Sequence, residues 1–159
     1  VSRTLGGNVR GLDKLTRKLS ALASLDRGKV LRQAEKAALE VLADEADAVL
    51  RMDGHAETED LRQETADMIG NWEVTEHRKS SRLSNGSPQA KHHEFGTGVH
   101  NPYGGRSEEW EYKGADGRFH RTEGITPVAP LRRAADANEG KIAGAAAKEL
   151  KAAIKRIVR

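Results

Sequence analysis

The chain has 159 residues, of which 36% are hydrophobic and only 4% aromatic, and its formal net charge is +3. That length suits a single domain, 1–159, whose modest core rests on Leu, Val, Ile and Ala. The absence of cysteine excludes disulfides and thiolate zinc sites. No apolar run approaches the roughly 20 residues that span a bilayer, and VSRTLGGNVRGLDK has no apolar signal-peptide core. A soluble protein made in the cytoplasm, with no membrane partner, is expected.

The small net charge hides segregation. Residues 1–32 carry +6, residues 33–67 carry −8, residues 68–140 balance, and residues 141–159 carry +5. Basic ends around an acidic middle suit head-to-tail contacts between copies, or a basic face turned toward DNA. Solvated helix faces are the plainer reading of any single charge.

Leu12, Leu15, Leu19, Leu22 and Leu25 recur at spacings of three and four, which marks an amphipathic N-terminal segment over 1–28 that Gly28 interrupts. A second helix follows through Val30, Ala34, Ala37, Val41, Ala48 and Met52, with Glu35, Glu40, Asp44, Glu45 and Asp47 on its exposed side. Thr58 reads as an N-cap, with Glu59 and Asp60 in the first turn, where the helix dipole favours negative charge. That short helix stops at Gly70–Asn71.

The period then changes. Trp72 and Val74 alternate with Glu73 and Thr75, a strand with one wet face. Residues 79–89, KSSRLSNGSPQ, read as an exposed polar loop, and Ala90 to Phe95 as a further strand. An insert over 97–124 contains WEYKGADGRFHR, which resembles a hairpin around Asp116–Gly117 and reads as a loop or arm. Pro127 and Pro130 lead into a final basic helix over 130–159, on which Leu131, Ala135, Asn138, Ile142, Ala145, Leu150, Ile154 and Ile157 trace one face. Gly140 and Gly144 weaken it locally. The expected fold class is α+β, with long helices at both ends of the chain packed on a small antiparallel sheet and an extended loop or hairpin insert.

The stretch HHEFGTGVH, residues 92–100, invites a chemical reading. In a strand His92 and His93 point to opposite faces. His92 and Glu94 share one, and His100 or His120 would supply a third ligand for a metal-dependent hydrolase. No HExxH spacing is present, GTG lacks the P-loop pattern, and no Ser sits in a GxSxG setting. Surface or interface histidines are the expectation, with no catalytic residue, metal or cofactor. Lys151, Lys155 and Arg156, with Arg132 and Arg133, are the candidate ring-facing or DNA-facing cations, the latter through sequence-independent attraction to phosphates. A small basic DNA-binding protein is therefore an alternative.

The order of features resembles a family. GLDKLTRKLSAL leads into a long Ala-rich helix, TEDLRQETADMI and a strand follow, then HHEFGTG, and ITPVAPLRRAADAN opens a long basic helix. This is similar to the neck or tail-completion proteins of long-tailed bacteriophages, which head–tail joining and minor tail components exemplify. Glu94, Phe95, Gly96 and Thr97 match that family's EFGT signature at a strand end. Pro127, Pro130, Leu131, Arg132 and Ala134 match much of the lead into its last helix, although the Phe usual after the second Pro is missing. The resemblance implies a structural virion protein at the head–tail junction, a tail-completion or connector subunit made in the host cytoplasm. It implies a homo-oligomeric ring of six copies around the DNA channel, touching other neck and tail proteins and making non-specific contact with genomic DNA.

Overall fold

Residues 27–53 are rich in Ala, Leu and Glu and form one uninterrupted helix, α1 (Arg27–Asp53). Asp26 caps it, its carboxylate accepting from the Lys29 amide at 2.9 Å. Gly28 therefore lies inside the first turn and does not break the helix, contrary to the sequence expectation. The computed structural model describes residues 17–20 and 26–158, apart from 79, 105, 107, 114–116 and the side chains of 157 and 158. Residues 17–20 are helical, and residues 1–16 and 21–25 of the expected amphipathic N-terminal segment lie outside the described residues.

Helix α2 (Glu59–Met68) starts as its sequence prescribes. The Thr58 hydroxyl accepts from the Leu61 amide at 3.2 Å, and Glu59 and Asp60 occupy the first turn. Strand β1 (Trp72–Glu76) follows and pairs antiparallel with β2 (Ser81–Asn85), setting Trp72 opposite Asn85 and Val74 opposite Leu83. Residues 81–85 are thus a strand, not the exposed loop read from their polarity. Ser81, Leu83 and Asn85 alternate inward against outward Arg82 and Ser84. The inward Asn85 is tolerated because its side-chain amide donates to the Met68 carbonyl at 2.8 Å.

A further correction concerns Ala90–Phe95, which is a short helix, α3, and not a strand. Ala90 and His93, three residues apart, share its inner face. Ala90 packs against the core and His93 is fully enclosed. A strand would have turned Ala90, His92 and Glu94 inward together. After a single 3₁₀ turn (Gly98–His100), strands β3 (Trp110–Lys113) and β4 (Phe119–Thr122) form the expected second hairpin. Among the described residues the β structure is two separate two-stranded antiparallel sheets, a small sheet and the hairpin of the insert.

Helix α4 (Pro130–Val158) closes the fold and makes the most extensive packing in the molecule, against α1. Arg133 pairs with Asp53 and Lys141 with Glu45. Each step of eight residues along α4 is matched by eight residues back along α1, so the two run antiparallel. Ala34 and Ala46 on α1 and Ala134 and Ala153 on α4 are buried, small residues that let the backbones approach closely. Met52 and Ile154, placed on apolar faces by periodicity, are instead 82% and 49% exposed. The irregularity in α4 falls at Asn138 (φ −127°, ψ 23°), not at Gly140 or Gly144, and the Asn138 side-chain amide donates to the Ala134 carbonyl within the helical ladder.

Leu50, Met68 and Val128 form the core cluster, with Val49, Ile69, Trp72 and Ala90 packed around it. Asp47 borders it and is buried, although its charged neighbours in sequence placed it on the wet face. Its carboxylate accepts from the Trp72 indole at 2.7 Å and the Gly70 amide at 2.9 Å, joining α1 to the start of β1. The architecture is α+β, as the sequence predicted. Among the described residues no helix is long and apolar enough to cross a membrane.

Candidate functional site

Helix α4 begins with Pro130, which has no amide hydrogen, and Ala129 before it has no side-chain acceptor to cap the following amides. Glu94, from α3, supplies the acceptor. Its carboxylate accepts from the Leu131 amide at 2.9 Å and the Arg132 amide at 3.3 Å, while the Arg132 guanidinium donates to the Glu94 carbonyl at 3.2 Å. The negative charge also lies at the positive end of the helix dipole. The Ala129 amide donates to the His93 carbonyl at 2.9 Å, and this contact accompanies a φ of 53° at Ala129. That left-handed conformation costs a non-Gly residue on the order of 1 kcal/mol or more, which the surrounding bonds offset.

The joint continues past α3. Gly96, at φ 73°, ends the helix. A Cβ there would sit 2.8 Å from the Ile125 carbonyl oxygen and 2.9 Å from the Pro127 ring, so the position needs glycine twice over. Thr97 then clasps Ile125: its amide donates to the Ile125 carbonyl at 2.9 Å and its hydroxyl accepts from the Ile125 amide at 2.9 Å. The Val99 amide donates to the Glu123 carbonyl at 3.0 Å. The base of the 97–124 insert is thereby pinned on both sides.

Beyond that base the insert is an arm. Among the described residues its β3–β4 hairpin makes no extensive contact with any other helix or strand. Tyr103 is 77% and Phe119 73% exposed, and Tyr112 is also exposed. Phe95 and Tyr103 meet edge to face, with ring centroids 5.5 Å apart. Between α2 and the hairpin runs a groove of about 800 Å³, with Leu61, Trp110, Tyr112 and Ile125 among its walls and Asp60 and Glu64 on its α2 side.

The two sequence stretches singled out by resemblance therefore meet in space. Glu94, Gly96 and Thr97 touch Pro127, Leu131 and Arg132 or their immediate neighbours, and Pro130 is buried between them. Phe95 stays outside this joint. Glu94, Phe95, Gly96 and Thr97 mark a helix end and its exit, where the sequence suggested a strand end. Arg132 and Arg133 are engaged within the chain, by Glu94 and by Asp53 and the Val128 carbonyl. Lys151, Lys155 and Arg156 are exposed and form no ion pair among the described residues.

The histidines divide. His92 and Glu94, two apart on a helix, diverge. His92 contacts the Gln89 side-chain oxygen at 2.7 Å, while Glu94 caps α4. No cluster of three His, Asp or Glu among the described residues has a metal-site arrangement. His93 is not a surface histidine: it is fully buried, its ring 5.3 Å from that of His55 and its Nε2 3.5 Å from the Glu64 carboxylate. His55 contacts the Thr126 carbonyl at 2.7 Å through Nε2 and the Glu57 carboxylate at 3.1 Å through Nδ1. Burial first, then the neighbouring His55 charge, hold His93 below the ordinary histidine range, outweighing the opposite pull of Glu64. The hydrogen bond from His55 lowers the Glu57 carboxyl. His55, Glu64 and Ala129 carried no local signal in the sequence. The Ala–Pro pair at a helix start was the one available clue, since it leaves the cap to a distant residue.

No protein-family model, no curated protein and no solved structure matches the chain.

Two outcomes follow from this geometry. Glu94→Ala leaves the first amides of α4 without their acceptor and should cost about 1–3 kcal/mol in a urea titration, whereas Glu94→Gln keeps an acceptor and should cost less. For His93, the folded value lies below the unfolded one, so the unfolded chain takes up the proton first as pH falls. Stability is complete above about pH 6.5 and declines as pH drops toward the depressed folded value. Urea midpoints of the native protein should fall between about pH 7 and 5, and the slope should flatten in His93→Gln. The Glu57 contribution is lost only at lower pH, below its ordinary carboxylate value of 4.5.

Proposed function

We propose that this chain is a structural virion subunit of the phage head–tail neck, a tail-completion or connector protein that works as an oligomeric ring around the DNA channel and has no catalytic role. The observation that carries the reading is the arm. An isolated two-stranded hairpin is marginally stable in water, yet β3–β4 presents Tyr112 and Phe119 to solvent on a base that Thr97, Ile125, Val99 and Glu123 hold fixed. A rigidly rooted hairpin with uncovered aromatic side chains suits contact with a neighbouring subunit. The junction of the EFGT stretch with the lead into α4 adds support, because Glu94, Gly96 and Thr97 hold the segment that carries Pro127, Pro130, Leu131 and Arg132, with Phe95 outside the joint. Six copies, neighbouring neck and tail proteins, and a location at the head–tail junction belong to the same proposal.

Among the described residues the small basic DNA-binding reading draws on Lys151, Lys155 and Arg156 of the C-terminal helix, since Arg132 and Arg133 are paired within the chain. Those three cations suit a surface that passes near DNA without reading its sequence.

Replacing the arm between Val99 and Glu123 by a short Gly–Ser turn should leave the thermal unfolding of the remainder nearly unchanged. The same variant should fail to complement head–tail joining and should be missing from purified particles imaged by electron microscopy. Normal particles carrying the shortened chain, or native protein that never enters particles, would sink the neck reading.

A further inference from the structure

We propose that the basic tip of α4 docks, in a second copy of this chain, into the groove between α2 and the β3–β4 hairpin, giving a head-to-tail contact that propagates from copy to copy. The proposal rests on the assembly reading above and names its contact.

The two surfaces match in charge and shape. On the tip, Lys148, Lys151, Lys155 and Arg156 are exposed, and Ile154, one turn beyond Lys151, is 49% exposed. On the groove, Asp60 and Glu64 lie on the α2 wall, Asp67 continues the same helix face just beyond it at a spacing of three, and Leu61, Trp110, Tyr112 and Ile125 supply apolar surface. Arg121, on the hairpin wall of the groove, is paired with Glu109, and Arg62 of α2 with Glu59. A cationic helix end with one apolar side chain is the kind of element that an acidic groove with an apolar lining accepts.

Geometry prevents the two from meeting within one chain. The groove is bounded by Thr97, Gly124 and Ile125, beside the Glu94–Leu131 joint where α4 begins. From Pro130 to Arg156 the helix, kinked at Asn138, covers on the order of 40 Å along its path, at about 1.5 Å per residue. Pairing with α1 along its length holds it as a strut. Complementary surfaces at opposite ends of a strut are satisfied only between copies. Such a contact joins unlike faces, so it closes into a ring when the rotation per subunit allows and otherwise extends as a filament. The charge segregation of the sequence, acidic over 33–67 and basic over 141–159, acquires a structural purpose here.

A reciprocal charge swap tests this. One variant carries Lys151→Glu with Lys155→Glu, the other Asp60→Lys with Asp67→Lys; Glu64 is left alone because it faces His93. Circular dichroism melts establish that both fold, and Asp60→Asn with Asp67→Asn serves in place of the second if it does not. Sedimentation velocity should show the native chain associating with concentration, and less so as salt rises. Each variant alone should be monomeric, and an equimolar mixture of the two charge-reversed chains should associate again, because every tip then finds a groove of opposite sign. Variants that associate like the native chain, or a mixture that stays monomeric, overturn this contact while leaving a ring built on another surface. A tip variant that loses only affinity for duplex DNA also overturns it, assigning the tip to DNA. A native chain that stays monomeric at every concentration removes both the contact and the ring.

Discussion

The fold turns on how α4 gets started. Pro130 fixes the backbone for the first helical turn but donates no hydrogen bond, and Ala129 offers no cap, so the exposed amides of Leu131 and Arg132 need an acceptor from elsewhere. Glu94 provides it from 37 residues away. To reach that position, residues 90–95 coil into α3, which carries His93 into the interior and Ala90 onto the core. The chain must then leave α3 in a space too tight for any side chain, at Gly96, and Thr97 locks the exit against Ile125. One capping requirement thus determines where α3 sits, how the arm is rooted and how α4 is aimed along α1.

From that joint the molecule extends in two directions with different energetics. Along α1 and α4, small buried alanines and paired charges hold a long antiparallel strut whose apolar burial is thin for its length. Toward the arm, a hairpin stands with Tyr112 and Phe119 exposed. A sparse core, a rooted arm and opposite charges at opposite ends are mutually consistent features of a subunit made to be assembled, which is the sense in which the structure supports the neck proposal. The buried His93, flanked by His55 and Glu64, sits beside this joint through its carbonyl bond to the Ala129 amide.

Elements whose causes are local were legible in the sequence. Thr58 with Glu59 and Asp60 announced α2, the period of residues 30–52 announced α1, and the Gly-containing turn announced the β3–β4 hairpin. What was missed had distant causes. Residues 81–85 hold one apolar side chain, Leu83, and become a strand because β1 offers a partner and the Met68 carbonyl satisfies Asn85. Asp47 sits in an acidic run, and only Gly70 and Trp72, 23 and 25 residues away, explain its burial. Residues 90–95 are too few for periodicity to distinguish helix from strand, and what settles them is the Ala129–Pro130 start far down the chain. The EFGT stretch and the lead into α4 were each recognisable; that they form one joint was not, because no spacing rule links Glu94 to Leu131.

Amide hydrogen exchange on the dilute, unassembled protein addresses the central claim most directly. A rooted arm awaiting a neighbour predicts slow exchange at the joint amides of Thr97, Val99, Ile125, Ala129 and Leu131 and fast exchange across Trp110–Lys113 and Phe119–Thr122, with protection reaching the hairpin only on self-association. Equal protection of the hairpin and the joint in the monomer, or joint amides that exchange as fast as the hairpin, would contradict it.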